Sequence, residues 1–202
     1  MKRLTAVIAT GNRHKLREIA TMLADFDIRV KTMEEAGLQD FYIEETGSTF
    51  EENAIIKAAA VAHKTGLMAL ADDSGLEVDA LQGEPGVYSA RYAGENATDA
   101  DNNYKLLTTM KAVPMERRQG RFVCALAAVF PDGREIVVRG TVEGLIDFQE
   151  KGSYGFGYDP LFLLPEYNKT FGELGPDVKN SMSHRGKAIQ QMKQELKKLL
   201  SK

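Results

Sequence analysis

The first seventy residues alternate between short apolar runs and segments with helical spacing of apolar residues. The run over residues 5–9 is short and β-favouring, which predicts a buried strand. The next apolar positions recur at i, i+3, i+4 and i+7, as on one face of a helix: Leu16, Ile19, Ala20 and Leu23. A second strand is predicted near residues 29–33, so the chain is expected to begin as a strand–turn–helix–strand unit.

A second helix is predicted after an acidic loop, with signals at both of its ends. Ser48 followed three residues later by Glu51 has the spacing of a capping box, and Gly66 suits the position just past a helix end. The apolar run over residues 67–71 then predicts another buried strand, which we expect to end where two aspartates follow.

The second half of the chain predicts a helix, a hairpin and a final helix. Thr98 with Asp101 indicates the start of the first of these helices. Two β-favouring runs, over residues 122–130 and 135–144, flank a Pro-Asp-Gly turn and predict an antiparallel hairpin. The last helix is expected to begin near Ser183. Early alternation of strands and helices followed by a hairpin predicts one α/β unit with a mixed sheet.

Composition narrows the range of partners. Proteins that bind nucleic acid through its phosphates usually show a basic excess, whereas this chain has a formal net charge of -3, which favours a small anionic ligand. No run approaches the ~20 apolar residues of a membrane-spanning helix, and the N-terminal apolar run is too short for a secretory signal. The single Cys124 cannot form an intrachain disulfide, so a reducing, cytoplasmic location is expected.

Residues 10–15, with the sequence TGNRHK, form the first candidate site, at the turn between the first strand and helix. Backbone N–H groups at a helix N-terminus carry partial positive charge and suit a phosphate, to which Lys15 adds a full charge. An ordinary capped turn is the competing interpretation. It is favoured for this segment by itself, because the phosphate-loop motif is absent.

Two pairs of acids are candidates for a metal site. Asp72 and Asp73 follow a predicted strand, at the edge of an α/β sheet where ligands bind, and carboxylates suit Mg²⁺. A solvated turn is an equally good interpretation of these two residues. Glu44 and Glu45 indicate solvated charge, unless folding brings their loop against the aspartates.

Several residues of the predicted helices and of a glycine-rich loop could recognise a nucleotide. Glycines on both sides of Phe156 would let its ring stack on a base, worth ~1–3 kcal/mol in single-strand binders, although the ring could equally fill the core. Lys179, His184 and Arg185 lie at a helix N-terminus, where the dipole favours anions, so an electron-rich ligand would offset their clustering. Lys57 either extends to solvent or points into a site.

Taken together and in order, these segments resemble the inosine/xanthosine triphosphate pyrophosphatase family. The matching segments are TGNRHK, EETGSTFEENAIIKA, ADDSGLEVDALQGEPGVYSARYAG, GFGYDPLF and SHRGKA, which span nearly the whole chain. The resemblance implies an α/β fold with a mixed, elongated central sheet flanked by helices. It also implies one domain over residues 1–202 with two lobes around a substrate cleft, assembled as a homodimer.

The resemblance further implies Mg²⁺-dependent hydrolysis of noncanonical purine nucleoside triphosphates (ITP, dITP and XTP) to the monophosphate and pyrophosphate, which clears them from the nucleotide pool. It assigns Asp73 as the catalytic carboxylate and, with Glu44, as a metal ligand. The residues that it places around the substrate are Thr10, Gly11, Asn12, Arg13, His14, Lys15, Ser74, Phe156, Gly157, Tyr158, Asp159, Lys179, His184 and Arg185. Lys15 and Lys57 would neutralise phosphate charge during attack on the α-phosphorus.

Hydrogen bonds to the edge of the base would determine which nucleotide is hydrolysed. Hypoxanthine and xanthine carry an oxygen at C6 where adenine carries an amino group, so donors on Lys179, His184 or Arg185 would favour them. Two other functions stay open. A pyrophosphatase for modified pyrimidine or general nucleotides, as in the septum-linked family, would prefer dUTP or UTP. A nucleotide sensor without catalysis would bind ITP and release no pyrophosphate.

Overall fold

The computed structural model describes residues 4–175, 178 and 182–200. Over these residues the strands are β1 Leu4–Ile8, β2 Ile28–Thr32, β3 Met68–Val78, β4 Gln119–Val129, β5 Glu135–Ile146, β6 Phe162–Leu164 and β7 Lys169–Thr170. The α-helices are α1 Arg13–Leu23, α2 Phe50–Thr65, α3 Asp99–Thr109 and α4 His184–Leu200. No helix in these ranges is long and apolar enough to cross a membrane.

The seven strands form one sheet in the order β2-β1-β3-β4-β5-β6-β7. Strand β1 pairs in parallel with β2 and β3, whereas β6 pairs antiparallel with β5 and β7. The sheet is therefore mixed and accompanied by helices, which confirms the predicted α/β fold class. The short edge strand β7 had no signal in the hydrophobic pattern.

The chain divides into two compact units, of which the first contains residues up to 73, 124–140 and those from 187 onward. Its core combines β1, the start of β3 and the apolar face of α1 with the face of α4 that carries Ala188, Met192 and Leu196. The predicted Pro-Asp-Gly turn is confirmed, because the N–H of Phe130 donates to the carbonyl of Arg134 at 2.8 Å.

The start of α2 lies one residue later than the sequence pattern predicted. Thr49 is the N-cap and Glu52 completes the capping box, so the predicted pair of Ser48 and Glu51 is wrong. The reason is that the Glu52 carboxylate accepts from the hydroxyl and the N–H of Ser48 as well as from the N–H of Thr49. The predicted end is confirmed by Gly66, which has a left-handed φ of 64°.

Strand β3 is longer than predicted. The expected end at the two aspartates is wrong, because the strand continues through them to Val78. Leu76 and Val78 are fully buried beyond the acids and extend the apolar face of the strand. Asp72 and Asp73 are themselves buried, so they lie inside a core strand and not in a solvated turn.

The second unit contains residues 74–123 and 141–186. Its core gathers apolar side chains of β3, β4, β6 and α3 around three rings, Phe122, Phe162 and Phe171. Helix α3 begins as predicted, since Thr98 and Asp101 form a complete capping box. A backbone segment over Lys151 to Leu161 follows β5 and carries the glycine-rich loop.

Candidate active site

Helix α2 directs two side chains at the carboxylate of Asp73. The ammonium of Lys57 lies 3.1 Å from Asp73 Oδ1, and the amide nitrogen of Asn53 lies 3.3 Å from Asp73 Oδ2. The two residues are four positions apart, so they occupy one face of the helix. Asn53 is 1% exposed and Asp73 is 9% exposed. Both oxygens of a nearly buried carboxylate are thus held by donors from one helix.

The acidic loop before α2 is attached to the same group. Glu45 Oε1 lies 3.1 Å from the Lys57 ammonium, and the N–H of Gly47 donates to Asn53 Oδ1 at 2.8 Å. A Cβ at Gly47 would lie 2.7 Å from Asn53 Oδ1, so the loop can approach only as glycine. Glu44, which the family resemblance assigns to a metal, is exposed to solvent. The acid that the structure places beside Lys57 is its neighbour, Glu45.

The charges of this group perturb one another. Burial raises the pKa of Asp73 above its ordinary value, and Glu45 raises it further, although Lys57 opposes both effects. Burial alone would lower the pKa of Lys57, but the attraction of Asp73 and Glu45 outweighs it, and the net pKa is raised. Lys57 therefore stays cationic, while Asp73 becomes a stronger base than a solvated aspartate, as a general base requires.

The donor set around Lys57 fits a divalent cation. The carboxylates of Asp73 and Glu45 converge on one ammonium at 3.1 Å each, so a positive charge is already held between two hard oxygen ligands. Within the described part of the chain, no group of three or more His, Cys, Asp or Glu is arranged to hold a metal. Mg²⁺ commonly binds one or two carboxylates and completes its shell with water and substrate phosphates, so two acids suffice.

The turn from β1 to α1 is a capped helix start with a buried ion pair beneath it. Asn12 Oδ1 accepts from the N–H of Lys15 at 3.3 Å, and the N–H of Asn12 donates to Thr10 Oγ1 at 3.2 Å. Lys15 Nζ lies 2.9 Å from Asp72 Oδ2. Gly11 is exposed, and a Cβ there would meet nothing within 4 Å, so the space around this turn does not require a glycine. The side chains of Arg13 and His14 lie outside the described part.

Adjacent acids in β3 bind different cations. Asp72 pairs with Lys15 of α1, whereas Asp73 pairs with Lys57 of α2. This separation follows from the alternation of side chains along a strand, which directs neighbours to opposite faces. Ser74 follows as the first residue of the second unit and is half-buried. Asp73, and not Asp72, therefore shares its site with Glu45.

In the second unit, the glycine-rich loop exposes the rings of Tyr154 and Phe156 and buries the two residues that follow Gly157. Phe156 is 46% exposed, whereas Tyr158 and Asp159 are buried. Asp159 Oδ2 accepts from the N–H of Phe156 at 2.8 Å, and Tyr158 donates its hydroxyl to the carbonyl of Ser89 at 2.8 Å. Burial raises the pKa of the Tyr158 hydroxyl strongly, so it stays protonated as a donor. These two residues anchor the loop, and Phe156 is the exposed ring that lies between its glycines.

The start of α4 buries two of the predicted cations. Ser183 Oγ accepts from the N–H of Gly186 at 3.0 Å, which confirms the predicted cap. His184 stacks on Phe122 with ring centroids 5.0 Å apart, and both His184 and Arg185 are buried. Lys179, the third predicted cation, lies outside the described residues. The second unit thus carries a buried imidazole and a buried guanidinium at a helix N-terminus.

Sequence reasoning did not identify Asn53 as a residue of the site. Its signal was present, because Asn53 precedes Lys57 by one helical turn in an otherwise apolar segment. A buried asparagine normally requires hydrogen-bond partners, and here they are the carboxylate of Asp73 and the N–H of Gly47. The helical spacing points to Asn53 only once the partner strand is known.

This chain is similar in sequence and in structure to proteins of one family. The model of the Ham1 family matches residues 6–195. The chain is 46% identical over 200 residues to a dITP/XTP pyrophosphatase of Clostridium perfringens, covering 96% of this chain and 98% of that protein. It is 53% identical over 188 residues to a dITP/XTP pyrophosphatase of Vibrio vulnificus, covering 92% and 93%. The structure of the Staphylococcus aureus Ham1 protein superposes with a TM-score of 0.90 at 44% identity, covering 96% of this chain and 98% of that one.

Proposed function

Because this chain belongs to the Ham1 family, we propose that it is a pyrophosphatase that hydrolyses ITP, dITP and XTP to the monophosphate and pyrophosphate. One observation carries the proposal for the chemistry: a nearly buried Asp73 whose carboxylate is held by Lys57 and Asn53. The substrate class is supported by relatives that are named dITP/XTP pyrophosphatase.

Asp73 is the proposed general base. Release of pyrophosphate requires water to attack the α-phosphorus, where a new P–O bond forms and the bond to the bridging oxygen breaks. Asp73 accepts the proton that water gives up, and the leaving pyrophosphate departs as an anion. The raised pKa of Asp73, caused by burial and by Glu45, supports this role, because a carboxylate of ordinary acidity accepts a proton poorly near neutral pH.

The lysines of α1 and α2 are proposed to neutralise phosphate charge. Lys57 and Lys15 hold carboxylates before substrate binds, at 3.1 Å and 2.9 Å. Each ammonium has three donors, so it can bind phosphate oxygens and keep its carboxylate contact. Fixed positive charge beside the reacting phosphates stabilises the negative charge that develops as pyrophosphate leaves.

Mg²⁺ is the proposed cofactor, and Asp73 together with the Glu44–Glu45 pair would hold it. When bound, the ion would reduce the charge of the phosphates and make water more acidic. The convergence of Asp73 and Glu45 on the Lys57 ammonium supports this assignment. Glu44 becomes a ligand only if its exposed side chain turns toward the aspartate.

Recognition of the base is proposed to involve the second unit. The exposed ring of Phe156 offers a stacking surface, and Lys179, His184 and Arg185 offer donors for the C6 oxygen of hypoxanthine or xanthine. Arg185→Ala should therefore lower turnover of ITP far more than residual turnover of ATP. Equal loss with both nucleotides would contradict a role in reading the base. The N–H donors of buried His184 and the guanidinium charge of buried Arg185, both at a helix N-terminus, support the assignment.

The experiment that tests the proposed function is pyrophosphate release from ITP, XTP, ATP, GTP and UTP, each with and without Mg²⁺. Strong release from ITP and XTP that depends on Mg²⁺ is expected. Preference for UTP would favour a pyrimidine pyrophosphatase, and tight ITP binding without release would favour a sensor. Clearance of the cytoplasmic nucleotide pool as a homodimer, without nucleic-acid or membrane partners, rests on the resemblance and on the acidic balance of the chain.

A further inference from the structure

Helix α3 holds both backbone groups of Gly157, the residue after the exposed ring of Phe156. Asp99 Oδ2 accepts from the N–H of Gly157 at 2.7 Å, and the amide of Asn103 donates to the carbonyl of Gly157 at 3.2 Å. Asp99 and Asn103 are four residues apart and therefore share one face of α3. Two side chains of a single helix thus bind the N–H and the carbonyl of one loop residue, and this pair of hydrogen bonds is called the clamp below.

Asn103 makes its hydrogen bond to Gly157 in the interior of the second unit. It is 2% exposed, and its other contact within hydrogen-bonding range is a long one of 3.5 Å to Glu150 Oε2. Its Oδ1 is buried with no hydrogen-bond partner among the described residues. Burial of an amide with one unsatisfied atom disfavours folding, so Asn103 is poorly explained by stability alone. The bond to the carbonyl of Gly157 is the shorter of the two hydrogen bonds that the amide of Asn103 donates.

A carboxylate within the loop also binds its backbone. Asp159 accepts from the N–H of Phe156 at 2.8 Å, so consecutive N–H groups of Phe156 and Gly157 are each bound by a carboxylate. Gly157 itself has a left-handed φ of 60°, which fixes the direction of the chain past the ring. The backbone that carries Phe156 is therefore ordered by side chains whose own positions are set by α3 and the core.

We propose that Asp99 and Asn103 are positioning residues that order the Phe156 loop for nucleotide binding, an inference that rests on the proposed function. A ring that is already fixed loses less conformational freedom when a base stacks on it, and affinity rises accordingly. In this role neither side chain takes part in the chemical step. Their loss should therefore weaken binding and leave the chemical step unchanged.

The order of the loop can be measured without any nucleotide. The chain has no tryptophan, so Phe156→Trp places a single indole at the tip of the loop. In that background, Asp99→Ala should lower the steady-state fluorescence anisotropy, because one bond to Gly157 is lost. Asp99→Asn keeps an acceptor oxygen and should retain the higher anisotropy. Asp99 is exposed, so neither change threatens the fold.

Kinetics in the background with native Phe156 test the link to binding. Asp99→Ala and Asn103→Ala should each raise the KM for ITP about tenfold, with kcat within about twofold, because only the ordering of the loop is lost. Asn102→Ala is the matched control. Asn102 is also buried on α3, but it bonds to the backbone of Ala90 and Ala93. It should reduce stability and leave KM unchanged.

Each outcome has a distinct meaning. Unchanged anisotropy in Asp99→Ala would overturn the clamp, and lower anisotropy with unchanged KM would overturn its role in nucleotide binding. A rise in KM for Asn102→Ala equal to that for Asn103→Ala would reduce the effect to general loss of stability. If the native protein releases no pyrophosphate from any nucleotide, the proposed function fails, while anisotropy still confirms or rejects the clamp.

Discussion

Replacement of Lys57 by methionine tests the charge arrangement of the site. The change keeps an unbranched apolar stem that is one atom shorter and removes the ammonium that lies 3.1 Å from both Asp73 and Glu45. At that distance each ion pair has a Coulomb energy of about 5 kcal/mol for an effective dielectric constant of ~20, before the burial of the charges is subtracted. The pair with Glu45 contributes less, because that side chain is more exposed than Asp73.

Lys57→Met should therefore lower the free energy of unfolding by about 3 kcal/mol, since removal of one partner leaves a nearly buried carboxylate without its cation. For a chain of this length the midpoint of thermal unfolding should fall by about 6–12 °C. Lys64→Met is the matched control, because Lys64 lies on the same helix and is exposed, and it should change stability by less than about 0.5 kcal/mol. Urea unfolding followed by circular dichroism measures both.

A loss below about 1 kcal/mol in Lys57→Met would refute the reasoning about buried charge. Mg²⁺ provides a second arm of the same experiment. If Asp73 and Glu45 can share the ion, saturating Mg²⁺ should stabilise Lys57→Met more than the native protein, because the ammonium of Lys57 no longer occupies the space between the two carboxylates. No stabilisation of either protein by Mg²⁺ would contradict the metal assignment and leave the ion-pair argument intact.

Two further predictions concern the second unit. Gly155→Ala should raise the KM for ITP more than tenfold and destabilise the fold by about 2 kcal/mol, because its Cβ would lie 2.0 Å from Asp159 Oδ2 at a left-handed φ. In the control Gly157→Ala the new Cβ meets nothing within 4 Å, so the cost should be only about 1 kcal/mol of backbone strain. Steady-state kinetics and thermal unfolding of both variants would measure the difference. Arg118→Met should lower the free energy of unfolding in urea by about 4 kcal/mol, because four carbonyls lose a buried guanidinium donor. Arg134 is exposed, so Arg134→Met should lower it by less than about 0.5 kcal/mol. Comparable losses of stability in the two variants would contradict this estimate.

Periodicity predicted most elements because it depends on local burial. The apolar faces of α1 and α4, the hairpin of β4 and β5, and the caps at Gly66 and Thr98 follow from residues close in sequence. The end of the third strand did not, because Asp72 and Asp73 look like turn residues until Lys15 and Lys57 are placed against them. Buried ion pairs of this kind allow a strand to continue through acids.

The sequence predicted several residues of the candidate site but not which of them contact one another. Their chemistry made Asp73 and Lys57 candidates with a competing interpretation for each, and the structure brings them together. Asn53 was not, because its role depends on a strand about twenty residues away in sequence. The preference for Glu45 over Glu44 beside Lys57 likewise depends on how the loop folds against α2, which no local pattern specifies. Long-range contacts therefore decided what the sequence left open.

The central claim is that Asp73 activates water for release of pyrophosphate from noncanonical purine triphosphates. The most direct measurement is single-turnover hydrolysis of ITP with Mg²⁺ by the native protein and by Asp73→Asn, with both products identified by ion-exchange chromatography. We expect the native protein to form IMP and pyrophosphate, and Asp73→Asn to be slower by at least ~10²-fold, because the general base is lost. Near-native turnover by Asp73→Asn, or release of inorganic phosphate with IDP, would contradict the account.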